Sequence, residues 1–187
     1  RLLKQFEKNV RKINGLEESI SALTDEELQA KTGEFKKRLV GGEKLDAILS
    51  ESFAVVREVS VRQLGMRHFD VQLVGGMVLN MGKVAEMRTG EGKTLTCSVG
   101  ASLLGWLRRP VHVITVNDYL ASRDAESRMP IYRRCGLSAK GITGETEEAE
   151  RRGLYRLPIV YLTQKELVAD WLRDQLKLGR ILDPISA

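Results

Sequence analysis

The sequence predicts an α/β fold, a parallel sheet flanked by helices, preceded by an N-terminal helical arm. Three observations carry this. The opening part repeats apolar residues at helical spacing, and the later part alternates short β-prone runs with helix-like stretches. Between them lies a glycine-rich turn, "RTGEGKT". Strands that alternate with helices are joined by crossovers, and crossovers set parallel strands side by side.

In chain order, Leu2, Leu3, Phe6, Val10 and Ile13 fall three and four apart and form one apolar stripe. "TDEEL" then offers a capping box: the Thr24 hydroxyl can accept from the Glu27 amide while the Glu27 carboxylate reaches back. The helix begun there is expected to stop near Gly41 and Gly42. A third helix is expected from Leu45 to Leu64, with Ile48, Leu49, Phe53, Val56 and Val59 inward. After Gly65, "KVAEMR", "VHVITV", "SAKGI" and "PIVYLT" read as strands, each followed by a helix-like stretch of roughly 10 residues or more. Met66 to Gly82 fits neither pattern, which invites a functional reading.

Composition narrows the classes. The 187 residues are 42% hydrophobic and 29% charged, which suits a globular chain rather than a disordered one. Lys and Arg total 30 against 25 Asp and Glu, a net charge of +5. That balance is compatible with an anionic ligand or membrane headgroups and too weak to indicate nucleic acid. Cys97 and Cys135 show no metal-like spacing and no disulfide framework, so a reducing compartment is expected. His68 and His112 read as structural. No apolar run approaches the roughly 20 residues needed to span a bilayer. No secretory signal is visible, and a chain opening on Arg1 reads as a fragment.

The turn carries the chemistry. In a phosphate-binding loop, glycines let the backbone approach oxygens that a Cβ would block, and successive N–H groups point inward. A lysine adds charge, and a Ser or Thr hydroxyl ligates Mg²⁺. The helix that follows presents its positive dipole end to the phosphates. Here "GKT" leads into "LTCSVGASLLGWL", a credible helix, and follows "VAEM", a credible strand. The strict pattern wants Gly where Met87 stands. A strand–helix turn with strain-relieving glycines is the alternative, and it needs neither the lysine nor the threonine.

"MRHFDVQLVGGMVLNMGKVAEMRTGEGKTLT" and "VHVITVNDYLASRDAE" resemble the first nucleotide-binding domain of the SecA family, ATPase motors of bacterial preprotein translocation. "LTDEELQAKTGEFKKRLVGGEKLDAILSESFAVVREVS" resembles the helical run ahead of it, and the likeness covers roughly residues 1–174. It implies a P-loop NTPase fold of the helicase-like, RecA type, in which a non-Gly residue at the place of Met87 is ordinary. It divides the chain into an N-terminal helical region, 1–64, and a partial first nucleotide-binding domain, 65–187, ending before the Walker B motif. The cofactors implied are ATP, or ADP, and Mg²⁺. Gly90, Glu91, Gly92, Lys93 and Thr94 would wrap the β- and γ-phosphates, with Lys93 neutralising charge and Thr94 holding Mg²⁺. Arg88 would sit near ribose or phosphates. Gln72 would read adenine, its loss leaving phosphate binding largely intact, and Met66 and Phe69 would pack on the base. Arg123 and Asp124 would make polar contacts in a motif that couples nucleotide state to domain movement, although Asn117 or Asp118 could equally just cap a helix. Preprotein, the SecYEG channel and anionic lipids are the implied partners. The implied location is cytoplasmic, peripheral to the inner membrane.

The sequence also departs from the family. "YLTQKELVADWLRDQL" keeps Tyr161, Thr163, Glu166, Asp170, Leu172, Arg173 and Asp174 but changes Leu162, Gln164, Lys165, Val168 and Ala169, which suggests a divergent or accessory SecA-like protein. No apolar run in the chain ends in Asp-Glu. Nucleotide binding without hydrolysis is therefore expected of these residues. A non-catalytic regulatory module and a DEAD-box-like RNA helicase fragment are the other readings. The run "GETEEAERRG" reads as a solvated helix surface.

Overall fold

The N-terminal region is helical because its start and stop signals are local. The computed structural model describes residues 2–107 and 109–178, so 179–187 of the expected second region lie outside the described residues. Helix α1 spans Leu2–Gly15 and α2 spans Glu17–Ser21. Phe6, Val10 and Ile13 are buried, whereas Leu2 and Leu3 stay 39% and 72% exposed, so the stripe is buried only from its second turn. Helix α3, Asp25–Val40, starts at the predicted capping box. The Glu27 amide donates to Thr24 Oγ1 at 3.2 Å, and the Thr24 amide donates to Glu27 Oε2 at 2.7 Å. It stops at Gly41. Helix α4 spans Leu45–Leu64, as the periodicity predicts, and ends on Gly65 in the left-handed region at φ 65°.

Helix α4 is buried on more than the predicted face. Ala54 and Val55 are buried along with Ile48, Leu49, Phe53, Val56 and Val59. The reason is its position: α1, α2 and α3 cover one side, and later helices cover the other. Arg57, 2% exposed, donates to Asn14 Oδ1 at 2.7 Å and to the Ile13 carbonyl at 3.1 Å, and lies 3.2 Å from Glu17. A buried guanidinium with that many acceptors fixes α1 and α2 to α4. The buried cluster is continuous from Phe6 to Tyr161, so the arm and the sheet share one core.

The sheet has three parallel strands, β1 Val111–Thr115, β2 Ala139–Gly141 and β3 Ile159–Thr163, in the order β1-β3-β2. Val111 pairs with Ile159 and Thr115 with Thr163, while Ala139 shares Ile159 from the other side. The central β3 is buried along its length, as a parallel strand covered on both faces must be. Ile159 and Tyr161 enter the main core; Val160 and Leu162 join a smaller cluster with Ile142, Leu154, Leu157 and Leu167. The remaining helices are α5 Asp70–Asn80, α6 Lys93–Gly105, α7 Asp118–Arg134, α8 Glu148–Leu154 and α9 Gln164–Lys177. The Trp106 indole N–H donates to the Cys135 carbonyl at 2.9 Å and its ring packs on Phe35 of α3, which ties the arm to the far ends of α6 and α7.

Three expectations need correction. "KVAEMR" forms no strand: residues 83–88 run without regular structure, and Val84 is 93% exposed. An extended segment is stable only when its N–H and C=O groups meet a ladder, and among the described residues no strand lies beside this one. Met66–Gly82, which fitted no pattern, contains α5. Its glycine pair, Gly75 and Gly76, hides the helical signal but allows close packing, since a Cβ on Gly75 would stand 2.8 Å from Thr96 Cγ2 of α6. Last, α8 has only 7 residues, and its run is not merely solvated. Arg151 is 7% exposed, with Nη1 at 2.7 Å from Glu166 and 2.9 Å from Asp170. Tyr155 also donates to Asp170, at 2.8 Å.

His68 links the chain ahead of α5 to α6. It is fully buried, with Nε2 3.0 Å from the Leu95 carbonyl. Burial, reinforced by the nearby Arg57 and Arg128 cations, pulls its pKa from 6.5 to about 4. The unfolded chain therefore binds this proton more readily, so the stability is complete above about pH 6.5 and is lost as pH falls toward 4. Urea unfolding should show roughly 2 kcal/mol lost between pH 7 and pH 5 from this group. The slope should flatten by that amount in His68→Gln. Equal pH slopes for parent and variant would contradict it.

Candidate functional site

The glycine-rich turn meets α6 end-on. Gly90 and Gly92 sit at φ 88° and 80°, the left-handed region that glycine alone enters without strain. The Glu91 amide donates to the Arg88 carbonyl at 3.3 Å and closes the turn. Lys93 and Thr94 are the first two residues of α6, so the helix's unpaired amides and its positive dipole end face the turn. Helix α6 leads directly into β1, which places its N-terminus toward the C-terminal end of the parallel strands. That edge is where open α/β sheets hold ligands.

The backbone of the turn is pinned from behind by one side chain. Gln72, 5% exposed on the first turn of α5, donates from Nε2 to the Glu91 carbonyl at 3.0 Å. Its Oε1 accepts from the Phe69 amide at 3.0 Å. A Cβ on Gly92 would lie 2.4 Å from Gln72 Nε2, so a larger residue there would displace the Gln72 amide from its place behind the turn. Phe69, Val71, Gln72, Thr89, Gly90, Glu91 and Gly92 line a cleft of about 480 Å³. Phe69 is 67% exposed and Val71 59% exposed, so the cleft carries an apolar lip.

Lys93, Thr94, Arg88 and Met66 are not among the residues that line the cleft. Lys93 is exposed, and its ammonium donates to the Met87 carbonyl at 2.7 Å, within its own loop. Thr94 is half-buried and Arg88 exposed. Met66 is not brought to this cleft. Its side chain is 46% exposed, its sulfur lies 3.7 Å from Arg128 Nη1, and its carbonyl accepts from Ser60. Val71 and Thr89 line the cleft although sequence reasoning passed them over. Only the helical start at Asp70, concealed by the glycine pair, could have pointed to Val71.

At the turn after β1 the capping role belongs to Asn117, whose Oδ1 accepts from the Leu120 amide at 2.8 Å. Asp118 instead accepts from the Gly144 amide at 2.7 Å, tying this turn to the loop after β2. Arg123 pairs with Asp124 at 2.6 Å and lies over the Tyr119 ring. A larger cleft, about 810 Å³, lies between α8 and α9. Of the cations that line it, Arg151, Arg173 and Lys177 are paired with carboxylates, while Arg152 makes no ion pair among the described residues. In the glycine turn, the lysine ammonium is held by a backbone carbonyl.

Comparison with known proteins places the chain in one family. The family described as the SecA DEAD-like domain matches residues 1–181. Protein translocase subunit SecA of Neisseria meningitidis serogroup A is 54% identical over 176 residues, covering 94% of this chain and 19% of the relative. The same identity and coverage hold for the SecA subunits of Nitrosomonas europaea and Coxiella burnetii. The chain thus spans about a fifth of the length of these curated relatives, at 19% of each. The chain belongs to the SecA DEAD-like domain family.

Proposed function

We propose that this chain is the ATP-binding part of a SecA-like motor ATPase that drives preproteins across the membrane. The observation that carries the reading is the turn itself. Two left-handed glycines stand at the N-terminus of α6, Lys93 and Thr94 follow as its first residues, and Gln72 holds the turn in shape. The relatives are named as protein translocase subunits, which extends the proposal to preprotein, the SecYEG channel and anionic lipid as partners of the parent protein. No described helix is long and apolar enough to cross a membrane; attachment at the cytoplasmic side of the membrane is part of the proposal.

The residues fit ATP and Mg²⁺. Thr89, Gly90, Glu91 and Gly92 of the turn line the cleft of about 480 Å³, which leaves room beside the turn for phosphate oxygens. Lys93 Nζ already rests on an oxygen, the Met87 carbonyl, which a more basic phosphate oxygen would outcompete. Thr94 would give one hydroxyl to Mg²⁺, and the ion when bound neutralises part of the phosphate charge. Gln72 has one amide hydrogen and one lone pair left after its two protein bonds. Those are what adenine's ring nitrogen and exocyclic amine require, and Phe69 stands on the cleft's lip to pack on the base. No apolar run in the sequence ends in Asp-Glu, so the function proposed for these residues is binding rather than turnover.

Lys93→Ala should weaken ADP binding tenfold or more, since a charge-assisted contact contributes about 1.5–3 kcal/mol. Titration calorimetry giving equal affinities would reject the assignment. Gln72→Ala should reduce any preference for ATP over GTP. It should also weaken ADP binding, instead of leaving phosphate binding intact, because the same amide pins the turn. Competition binding in which the variant keeps the parent's base preference would remove Gln72 from the base site.

A further inference from the structure

The carbonyls of Glu91 and Leu95 flank the glycine–lysine–threonine corner. Each receives a hydrogen bond from one short segment of chain: Gln72 Nε2 to Glu91 at 3.0 Å, and His68 Nε2 to Leu95 at 3.0 Å. Donors four residues apart thus hold acceptors four residues apart, with Gly92, Lys93 and Thr94 between them. We infer that His68 is a positioning residue for the phosphate loop, fixing the first turn of α6 while Gln72 fixes the turn that precedes it. The inference rests on the phosphate-binding reading above.

Several features suit the ring to this task. A carbonyl can only accept, so Nε2 carries the proton and the ring acts as a neutral donor. Among the described residues this is the ring's one hydrogen bond. Burial beside Arg57 and Arg128 keeps the ring from charging, so the bond is constant across physiological pH. The Leu95 carbonyl also accepts from Ser98 Oγ at 2.6 Å, a bond internal to α6. The imidazole comes from outside the helix and alone ties that carbonyl to another element. Leu95 follows Thr94 directly, so tilting this turn would move both the hydroxyl and the lysine. The segment bearing His68 is itself held by the arm: Arg67 makes a two-pronged pair with Glu17 at 2.6 and 2.7 Å, and Asn14 donates to Asp70.

The test compares the parent 187-residue chain with His68→Leu, which removes the donor, and His68→Gln, whose amide nitrogen restores one at similar reach. Amide exchange without nucleotide should accelerate about tenfold across residues 93–97 in His68→Leu, relative to α4, and return toward the parent in His68→Gln. The ADP dissociation constant, measured with Mg²⁺ by calorimetry, should rise about tenfold in His68→Leu and recover in His68→Gln. The ATP-to-GTP ratio should not change. Unchanged exchange at 93–97, or a loss of affinity that the glutamine fails to rescue, would overturn the inference. If His68→Leu does not fold, the glutamine variant still decides, since it must match the parent in both measurements. Failure of the parent itself to bind ADP would remove the nucleotide reading and this role together, whereas a parent that binds alongside an unaffected leucine variant would remove this role alone.

Discussion

The Gln72 side-chain amide is the contact on which the cleft depends. A glycine turn has little reason of its own to hold one shape, because glycine enters many backbone conformations at similar cost. Gln72 removes that freedom by occupying the Glu91 carbonyl from below, at 5% exposure and with its other end anchored on the Phe69 amide. The bond is part-buried, and a hydrogen bond of this kind contributes about 0.5–1.5 kcal/mol to holding the turn. The turn is therefore shaped before any ligand arrives, and a ligand that meets it spends less of its binding energy on ordering the loop.

The helical arm supports this arrangement from a distance. Arg57 draws α1 and α2 onto α4, and Glu17, which Arg57 approaches at 3.2 Å, also pairs with Arg67 in the segment leading to α5. The Glu17 carboxyl is held below its ordinary pKa chiefly by its hydrogen bond from Arg67, with the Arg57 charge adding to it. Hence α2, α4 and the lead-in to α5 share one charged knot. On the opposite side of the sheet, Arg151 gathers Glu166 and Asp170 from α9 and the carbonyls of Thr143 and Thr146. The two carboxylates it uses both come from the first two turns of α9. The first knot joins helices to one another, and the second joins α8 and α9 to the loop after β2.

Where the sequence spoke through neighbours in the chain, it spoke clearly. The capping box at Thr24 and the left-handed stop at Gly65 are signals within a few residues, and α3 and α4 begin and end where those signals put them. The strand expected at 83–88 had the right composition, but a strand exists only with a partner, and partnership is not written in six residues. The charge run around Arg151 misled for the same reason, because Glu166 and Asp170 lie 15 and 19 residues further on. At the cleft, the positions of Gly90, Gly92, Lys93 and Thr94 followed from the turn's own chemistry. Gln72 did not: taken alone it would pass as a surface glutamine, and only the family resemblance singled it out. The resemblance also offered Met66, whose side chain turns toward Arg128 instead.

The central claim is that the anion-binding centre of this chain is the turn from Thr89 to Thr94 and not the larger cleft between α8 and α9. Residue-resolved amide exchange with and without Mg²⁺-ATP locates the site without assuming it. The account predicts slowed exchange confined to residues 89–95 and to the adjoining 69–72 segment, with α8 and α9 unchanged. Slowing concentrated on Glu148–Leu154 and the end of α9, with residues 89–95 unaffected, would contradict it.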